Sequence, residues 1–158
     1  MEGKKLDGPG TGEGRSKDSY INSIYGFVIG DALGVPVEFL TRDRLKKNPV
    51  VDMIGFGSHK VPGGTWSDDA SMVLAEMDSI ARIKKIDYSE MMKGFVSWVN
   101  EAEYTGTGEV FDIGITTRKS LSKYVSGVSP LIMSAIKNVR CNYYRTVPKC
   151  LPFLYFYV

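Results

Sequence analysis

The sequence is poor in the features that mark secreted, membrane-spanning and nucleic-acid-binding proteins. It has 158 residues and only two cysteines, Cys141 and Cys150, whose spacing fits neither a metal site nor a disulfide framework. No apolar run has the length needed to span a bilayer, and the N-terminal segment lacks the apolar region of a secretory signal. Its formal charge of +2 is too small to predict a nucleic acid or a membrane as partner. We therefore expect a cytoplasmic protein.

Acidic residues are missing from one end of the chain. No Asp or Glu follows Asp112, although 20 Lys and Arg and 18 Asp and Glu balance over the whole sequence. We interpret residues 131–158 as a divergent tail, for which a shift of reading frame and a genuine divergent end both remain open. Residues 1–17 are rich in glycine and charge, so we expect a disordered leader there. Residues 18–130 are predicted to form the one folded domain.

Helical periodicity dominates what the sequence does contain. A first helix is predicted to begin at Asp18 or Ser19 and to end at Gly34, just before Pro36. Its glycines lie four residues apart on one face, which predicts close contact with another helix: Gly26, Gly30 and Gly34. A second helix is predicted to begin at Ser67 and to bury an apolar stripe of Val73, Met77, Ile80 and Ala81.

Two further helices are predicted in the second half. Asp87 and Glu90 have capping-box spacing at the start of one helix, with inward-facing Met91, Phe95, Val96, Val99 and Ala102. Asp112 is predicted to cap another helix that runs to about Tyr124. Residues 40–66 read as irregular, and strand signals are thin throughout. The sequence therefore predicts an all-α fold.

The segment from Gly63 to Asp69 is the strongest local feature. Ser67 is a good N-cap, and Asp68 and Asp69 occupy the first two helical positions. Acids in a first turn stabilise a helix by about 0.3–1 kcal/mol each, and taken alone this structural interpretation is the commoner one. Three oxygen ligands on a glycine-rich turn also suit a hard cation such as Mg²⁺ or Mn²⁺.

Two isolated polar residues also permit more than one interpretation. Glu38 lies between Val37 and Phe39, which favour burial, so it is either a surface carboxylate on a loop or an acid held in a cleft to orient water or a metal. His59 is the single histidine, and its glycine-rich surroundings favour a solvated side chain. We therefore leave His59 out of the predicted site.

Three blocks of the sequence resemble the ADP-ribosylglycohydrolase family. The segment from Gly26 to Phe39 has the pattern Gly-x-x-x-Gly-Asp-Ala-Leu-Gly-x-Pro-x-Glu-Phe, and the segment from Pro62 has the pattern Pro-Gly-x-x-Trp-Ser-Asp-Asp. The third block runs from Val110 to Leu121. The resemblance covers residues from about Tyr20 to about Pro130, in the order that the family has.

The resemblance implies a compact helical fold around a cleft that holds two Mg²⁺ or Mn²⁺ ions. Carried over by position, the first cluster of metal ligands is Ser67, Asp68 and Asp69. The implied catalytic residues are Glu38, Asp68 and Asp69, and the implied substrate-binding residues are Phe111, Asp112 and Gly114. The implied partner is an ADP-ribosylated protein or an ADP-ribose derivative. The implied reaction removes ADP-ribose from a protein side chain, typically arginine.

The sequence departs from the family pattern in one respect. The family completes its metal site with a second acidic cluster, Asp-x-Asp-Asp-Thr, and no such motif follows Asp112. We therefore expect this chain to be the N-terminal part of such an enzyme, without its C-terminal part and inactive alone. The alternatives are a non-catalytic module that binds ADP-ribose or another nucleotide, and a structural relative with neither property.

Overall fold

The computed structural model of the protein describes residues 17–131. The regular secondary structure of these residues is helical. Their α-helices are α1 (Lys17–Gly34), α2 (Arg42–Lys47), α3 (Asp68–Ile83), α4 (Tyr88–Glu101) and α5 (Ile115–Val125). A short 3₁₀ turn, Val35–Val37, follows α1 directly. Residues 17–131 contain no strand, which confirms the predicted all-α class. None of these helices is both long enough and apolar enough to cross a bilayer.

The core lies between α3 and α4, and α5 covers one end of it. Its buried side chains come from all three helices: Met72 and Ala75 from α3, Met91, Met92, Phe95 and Trp98 from α4, and Leu121 from α5. A Cβ added at Gly94 would lie 3.3 Å from the Cβ of Ala75. The two helices therefore approach closely because both positions carry little or no side chain.

The predicted apolar stripe of α3 is wrong except at Ile80, which packs against the core. Val73 and Met77 are only partly buried and Ala81 is exposed. The buried face instead consists of Ala70, Ser71, Met72, Ala75, Glu76 and Ser79. Sequence periodicity gave weight to apolar side chains, whereas most residues on the buried face are small alanines and serines that allow close helix packing. The prediction of inward-facing residues on α4 is confirmed for four of them. Met91 and Phe95 are buried, and Val96 and Val99 pack at the edge of the core.

Among residues 17–131, no residue makes the close contact that was predicted for the glycines of α1. Cβ atoms built on Gly26, Gly30 and Gly34 have nothing within 4 Å. The helix instead meets the rest of the described fold through Asp31 and the buried Ala32. Ile21, Tyr25 and Ile29 are all exposed at about half of their surface or more.

Two predicted helix starts are confirmed and one is wrong. The hydroxyl of Ser67 accepts a hydrogen bond from the Asp69 amide, and Asp87 caps α4 through the amides of Ser89 and Glu90. Asp112 does not cap α5, which begins at Ile115. Asp112 instead has a positive φ of 55°, so the chain turns there before the helix starts. The segment 40–66 is mostly irregular, as predicted, but contains α2.

Glu76 is a buried acid on the inner side of α3. It is only 7% exposed, and burial raises its pKa from 4.5 to about 7. In the unfolded chain Glu76 loses its proton near pH 4.5, whereas the folded chain keeps it up to about pH 7. The folded state thus binds the additional proton between these values, and stability should fall as the pH rises through this range.

We predict that Glu76→Gln removes this loss of stability. Relative to the unchanged protein, the variant should gain about 3 kcal/mol between pH 4.5 and pH 8, because each pKa unit corresponds to about 1.4 kcal/mol. Urea unfolding of both proteins at a series of pH values measures the difference. Glu109→Gln, at an exposed position, is the matched control. A difference between Glu76→Gln and the unchanged protein that does not vary with pH would contradict the prediction.

Candidate functional site

The first turn of α3 lies where three irregular segments of the chain meet. These segments are residues 35–39 after α1, residues 56–61 in the long loop before α3, and residues 110–114 before α5. Each contributes a side chain or a backbone group to a single polar region. Residues that are far apart in sequence are thus brought together at one helix N-terminus.

Residues 56–61 pack directly on residues 35–39. The amide of Ser58 donates to the carbonyl oxygen of Pro36 at 3.0 Å, and the Ser58 hydroxyl donates to the carbonyl oxygen of Glu38 at 2.6 Å. A Cβ on Gly57 would overlap the Pro36 carbonyl group, so this approach requires a glycine. The backbone of Glu38 is therefore held from the opposite loop.

Asp31 connects α1 to the N-terminus of α3. Its carboxylate accepts hydrogen bonds from the Ser67 amide at 2.9 Å, from the Ser67 hydroxyl at 2.7 Å and from the Ala70 amide at 3.1 Å. The amides at a helix N-terminus have no partner within the helix, so an acid from another helix can satisfy them. Sequence reasoning missed this residue. The available signal was a single acid inside the otherwise apolar stretch from Phe27 to Leu33.

Asp68 is the most strongly perturbed acid of the site. Burial, followed by the negative charges of Asp69 and Asp112, raises its pKa to about 7. A hydrogen bond from the Gly114 backbone to the carboxylate acts in the opposite direction and lowers the pKa. The first turn of α3 therefore holds a largely buried carboxyl beside two other acids.

Glu38, His59 and Asp112 form a second group beside Asp68. Nε2 of His59 lies 2.6 Å from Oε2 of Glu38 and 3.8 Å from Oδ2 of Asp112. Burial raises the pKa of Glu38, the hydrogen bond from His59 lowers it, and the nearby Asp112 carboxyl raises it again, with a net increase. We call these three residues the His59 cluster.

The solvated position predicted for His59 is wrong. Only 13% of its side chain is exposed, and its ring lies near two phenylalanine rings. The ring centroids of Phe39 and Phe111 lie 5.8 Å and 5.3 Å from that of His59. The partners of His59 come from residues 38–39 and 111–112, which lie at least twenty positions before it and at least fifty positions after it. The composition of the local loop therefore gave no sign of its burial.

Trp66, in the block just before α3, has a structural contact. Its indole N–H donates to the carbonyl oxygen of Tyr104 at 2.9 Å. Its ring also faces Gly106, where an added Cβ would lie 3.4 Å from the ring atoms. Trp66 thus fixes the glycine-rich loop after α4 against the start of α3.

The structure brings most of the predicted site residues into one region. Glu38, Asp68, Asp112 and the Gly114 backbone meet there, and Phe111 contacts the ring of His59. Asp69 is exposed beside Asp68. Ser67 is 7% exposed, and its hydroxyl already donates a hydrogen bond to Asp31. Their predicted catalytic, metal-binding and substrate-binding roles remain predictions.

Comparison with known proteins gives a consistent result. The model of the ADP-ribosylglycohydrolase family matches residues 13–152. The ADP-ribosylarginine hydrolase Tri1 of Serratia proteamaculans is 37% identical over 113 residues, which are 72% of this chain and 30% of the relative. The ADP-ribosyl-[dinitrogen reductase] glycohydrolase of Rhodospirillum rubrum is 27% identical over 117 residues, which are 68% of this chain and 35% of that protein.

A solved structure supports the same relationship. A chain described as an ADP-ribosylglycohydrolase-related protein complex superposes with a TM-score of 0.57 at 29% identity, covering 70% of this chain and 34% of that chain. This chain therefore spans about a third of the length of the relatives that it matches.

We predict that Asp31→Ala destabilises the fold. The substitution leaves two amides and a buried hydroxyl at the start of α3 without their acceptor, and hydrogen bonds to a charged group contribute about 1.5–3 kcal/mol each. A loss of about 2–4 kcal/mol in the free energy of unfolding is expected from urea titration. Asp43→Ala, an exposed acid on α2, should change stability by less than about 0.5 kcal/mol. Equal effects of both substitutions would show that Asp31 does not anchor α3.

Proposed function

The chain belongs to the ADP-ribosylglycohydrolase family, and from that premise we propose that it provides part of an active site that removes ADP-ribose from a protein side chain. The proposed side chain is arginine, because two relatives are named ADP-ribosylarginine hydrolases. The reaction is the hydrolysis of the bond between the anomeric carbon of ADP-ribose and a guanidine nitrogen. The substrate is accordingly an ADP-ribosylated protein.

The observation that carries this proposal is the meeting of acids from three segments. Glu38, Asp68 and Asp112 are separated by thirty and more residues in sequence, yet the carboxyl of Asp112 lies close enough to raise the pKa of both Glu38 and Asp68. Three acids held together against their mutual repulsion cost folding free energy. Such an arrangement is typical of a functional site rather than of a stabilising one.

The donor set fits a divalent cation. We propose that Ser67, Asp68 and Asp69 hold Mg²⁺ or Mn²⁺, because hydroxyl and carboxylate oxygens are the ligands that such hard ions prefer. Burial is the main cause of the raised pKa of Asp68, and the negative charges of Asp69 and Asp112 add to it; a cation would neutralise those charges, which supports the fit. When bound, a pair of such ions supplies Lewis-acid activation of water and orientation of the ribose hydroxyls.

Glu38 is proposed to act on the attacking water. Its side chain is 38% exposed, so it faces the solvent side of the cluster, and burial of its remainder raises its pKa. A carboxylate with a raised pKa is a better proton acceptor than an ordinary surface acid. The neighbouring carboxylates would also stabilise the positive charge that develops on the ribose ring in the transition state.

Residues 111–114 are proposed to bind the ADP-ribose part of the substrate. The Gly114 amide is bonded to Asp68, so this turn is fixed directly against the acids that would handle the anomeric carbon. Gly114 is exposed and lacks a side chain, so a ligand can approach this turn closely. Phe111 packs on His59 and gives the turn an apolar wall.

A chimeric enzyme tests the proposed reaction. Residues 20–130 of this chain would replace the matching segment of the Serratia hydrolase, and release of ADP-ribose from an ADP-ribosylated arginine peptide would be measured with Mg²⁺ or Mn²⁺. The chimera should be active, and Asp68→Asn or Glu38→Gln should reduce the rate at least about a hundredfold, because each removes a group that acts on the reacting atoms.

The control for these variants is an acid on the same helix but outside the site. Asp78 is exposed on α3 and binds Tyr104 and Arg82, so Asp78→Asn should leave the rate within a few-fold. An active chimera in which Asp68→Asn behaves like Asp78→Asn would rule out the proposed role of Asp68. A folded chimera that binds ADP-ribose without hydrolysing the peptide would instead favour a non-catalytic binding module.

Metal binding can be measured on the chain itself. We predict weak binding of Mg²⁺, because Ser67, Asp68 and Asp69 offer one group of ligands, and Asp68→Asn should weaken it further. Isothermal titration calorimetry measures both affinities, with Asp78→Asn as the control. Tight binding of two Mg²⁺ ions, or binding that does not depend on Asp68, would contradict this prediction.

A further inference from the structure

The His59 cluster directs one nitrogen and two carboxylates at the same small volume. Nε2 of His59 lies near both Glu38 and Asp112, and one ligand atom of each residue lies within 4.8 Å of the other two. The three residues come from three different segments, so the chain does not place them together through local geometry. They are also distinct from the oxygen ligands Ser67, Asp68 and Asp69.

We propose that Glu38, His59 and Asp112 bind a divalent transition-metal ion that readily accepts an imidazole ligand, such as Zn²⁺. The bond from such an ion to an imidazole nitrogen or a carboxylate oxygen is about 2.0–2.2 Å long. Two ligands of one ion are then about 3.0–3.4 Å apart for octahedral to tetrahedral angles. The 2.6 Å and 3.8 Å distances from Nε2 bracket this range. Relative to Nε2, shifts of about 0.4 Å would bring each of the two carboxylate oxygens into this range.

The donor set also indicates which ion is preferred. An imidazole nitrogen suits Zn²⁺, whereas Mg²⁺ prefers oxygen ligands and keeps several of its waters. The His59 cluster should therefore discriminate against Mg²⁺. The site at Ser67, Asp68 and Asp69, with oxygen ligands alone, has no such preference for a borderline ion.

The surroundings hold these ligands in place. The His59 ring contacts the rings of Phe39 and Phe111, and the Ser58 hydroxyl donates to the backbone carbonyl of Glu38. Ordered ligands lower the entropic cost of binding an ion. The side chains of Glu38 and Asp112 are 38% and 22% exposed, so an ion can reach the cluster from solvent.

A proton is the alternative occupant of the same position. A protonated His59 would pair with Glu38 and Asp112 at the observed distances without any metal. The two occupants differ in what they do to Nε2, because a proton leaves it a hydrogen-bond donor and a metal ion makes it a ligand. The experiment therefore has to observe that atom.

The chain offers a direct probe, because it contains one histidine. In the full chain with Cys141→Ser and Cys150→Ser, which removes the thiols as rival ligands, one pair of imidazole nitrogen signals is expected in an NMR spectrum. Zn²⁺ should shift the Nε2 signal strongly and saturate at one ion per chain, and a hundredfold excess of Mg²⁺ should not reverse the shift. His59→Gln should weaken Zn²⁺ binding in calorimetry at least tenfold.

Variants separate this site from the metal site proposed at Ser67, Asp68 and Asp69, and the readout is binding alone, so neither result depends on catalytic activity. Asp112→Asn should weaken Zn²⁺ binding, whereas Asp69→Asn and the exposed Glu109→Gln should not. An Nε2 signal that Zn²⁺ leaves unmoved would overturn the proposal and identify an ion-paired imidazolium. Zn²⁺ binding that survives His59→Gln but is lost in Asp69→Asn would overturn it too, by placing the ion on the oxygen ligands.

Discussion

The described fold depends on a single carboxylate. Asp31 accepts three hydrogen bonds from the first turn of α3, and this contact fixes the orientation of α3 relative to α1. The donors are groups that a helix cannot satisfy internally, and the positive end of the helix dipole favours an anion there. One charge thus supplies both the link between helices and the cap. The Ser67 hydroxyl serves the same purpose, since it binds Asp31 and caps α3 at once.

This anchor determines what surrounds the site. Once the first turn of α3 is fixed beside α1, the 3₁₀ turn after α1 brings Glu38 to the same end of the helix. Residues 56–61 then close over it through Ser58 and Gly57. On the other side, Asp68 holds the Gly114 amide and so positions the turn before α5. The core between α3 and α4 supports this arrangement from behind, with α3 presenting its small residues to the bulky ones of α4.

The sequence predicted the elements better than their contacts. The all-α class, the start of α3 at Ser67 and the capping of α4 by Asp87 follow from local rules, so they were readable from neighbouring residues. The buried face of α3 was missed because serines and alanines face the core there, and periodicity counts only larger apolar side chains. His59 and Asp31 were missed for a different reason. Their partners lie twenty to fifty positions away, and no local pattern encodes such pairings.

Asp112 has a different position in the structure from the one that its neighbours in the sequence predict. Read locally, an acid shortly before a helical stretch is a cap, and the family resemblance implied a residue that approaches the substrate. In the structure Asp112 adopts a positive φ, which separates it from the helix that it was predicted to cap and leaves its carboxylate beside Glu38 and His59. The left-handed conformation costs a non-glycine residue of order 1 kcal/mol, and the loss of a cap costs about as much. A chain selected only for stability would avoid both.

The acids at this end of α3 share one constraint, which is electrostatic balance. The negative charge of Asp31 is compensated by the amides of α3. No lysine or arginine between residues 19 and 131 pairs with Glu38, Asp68 or Asp112. Within the same residues, His59 is the one basic partner of Glu38 and Asp112. Such a cluster is stable only if protons, an imidazolium or bound cations supply the missing positive charge. Protons would neutralise the carboxylates that the proposed hydrolysis needs in ionised form. Bound cations would keep them ionised, so the same charge excess that destabilises the fold favours the binding of cations at this site.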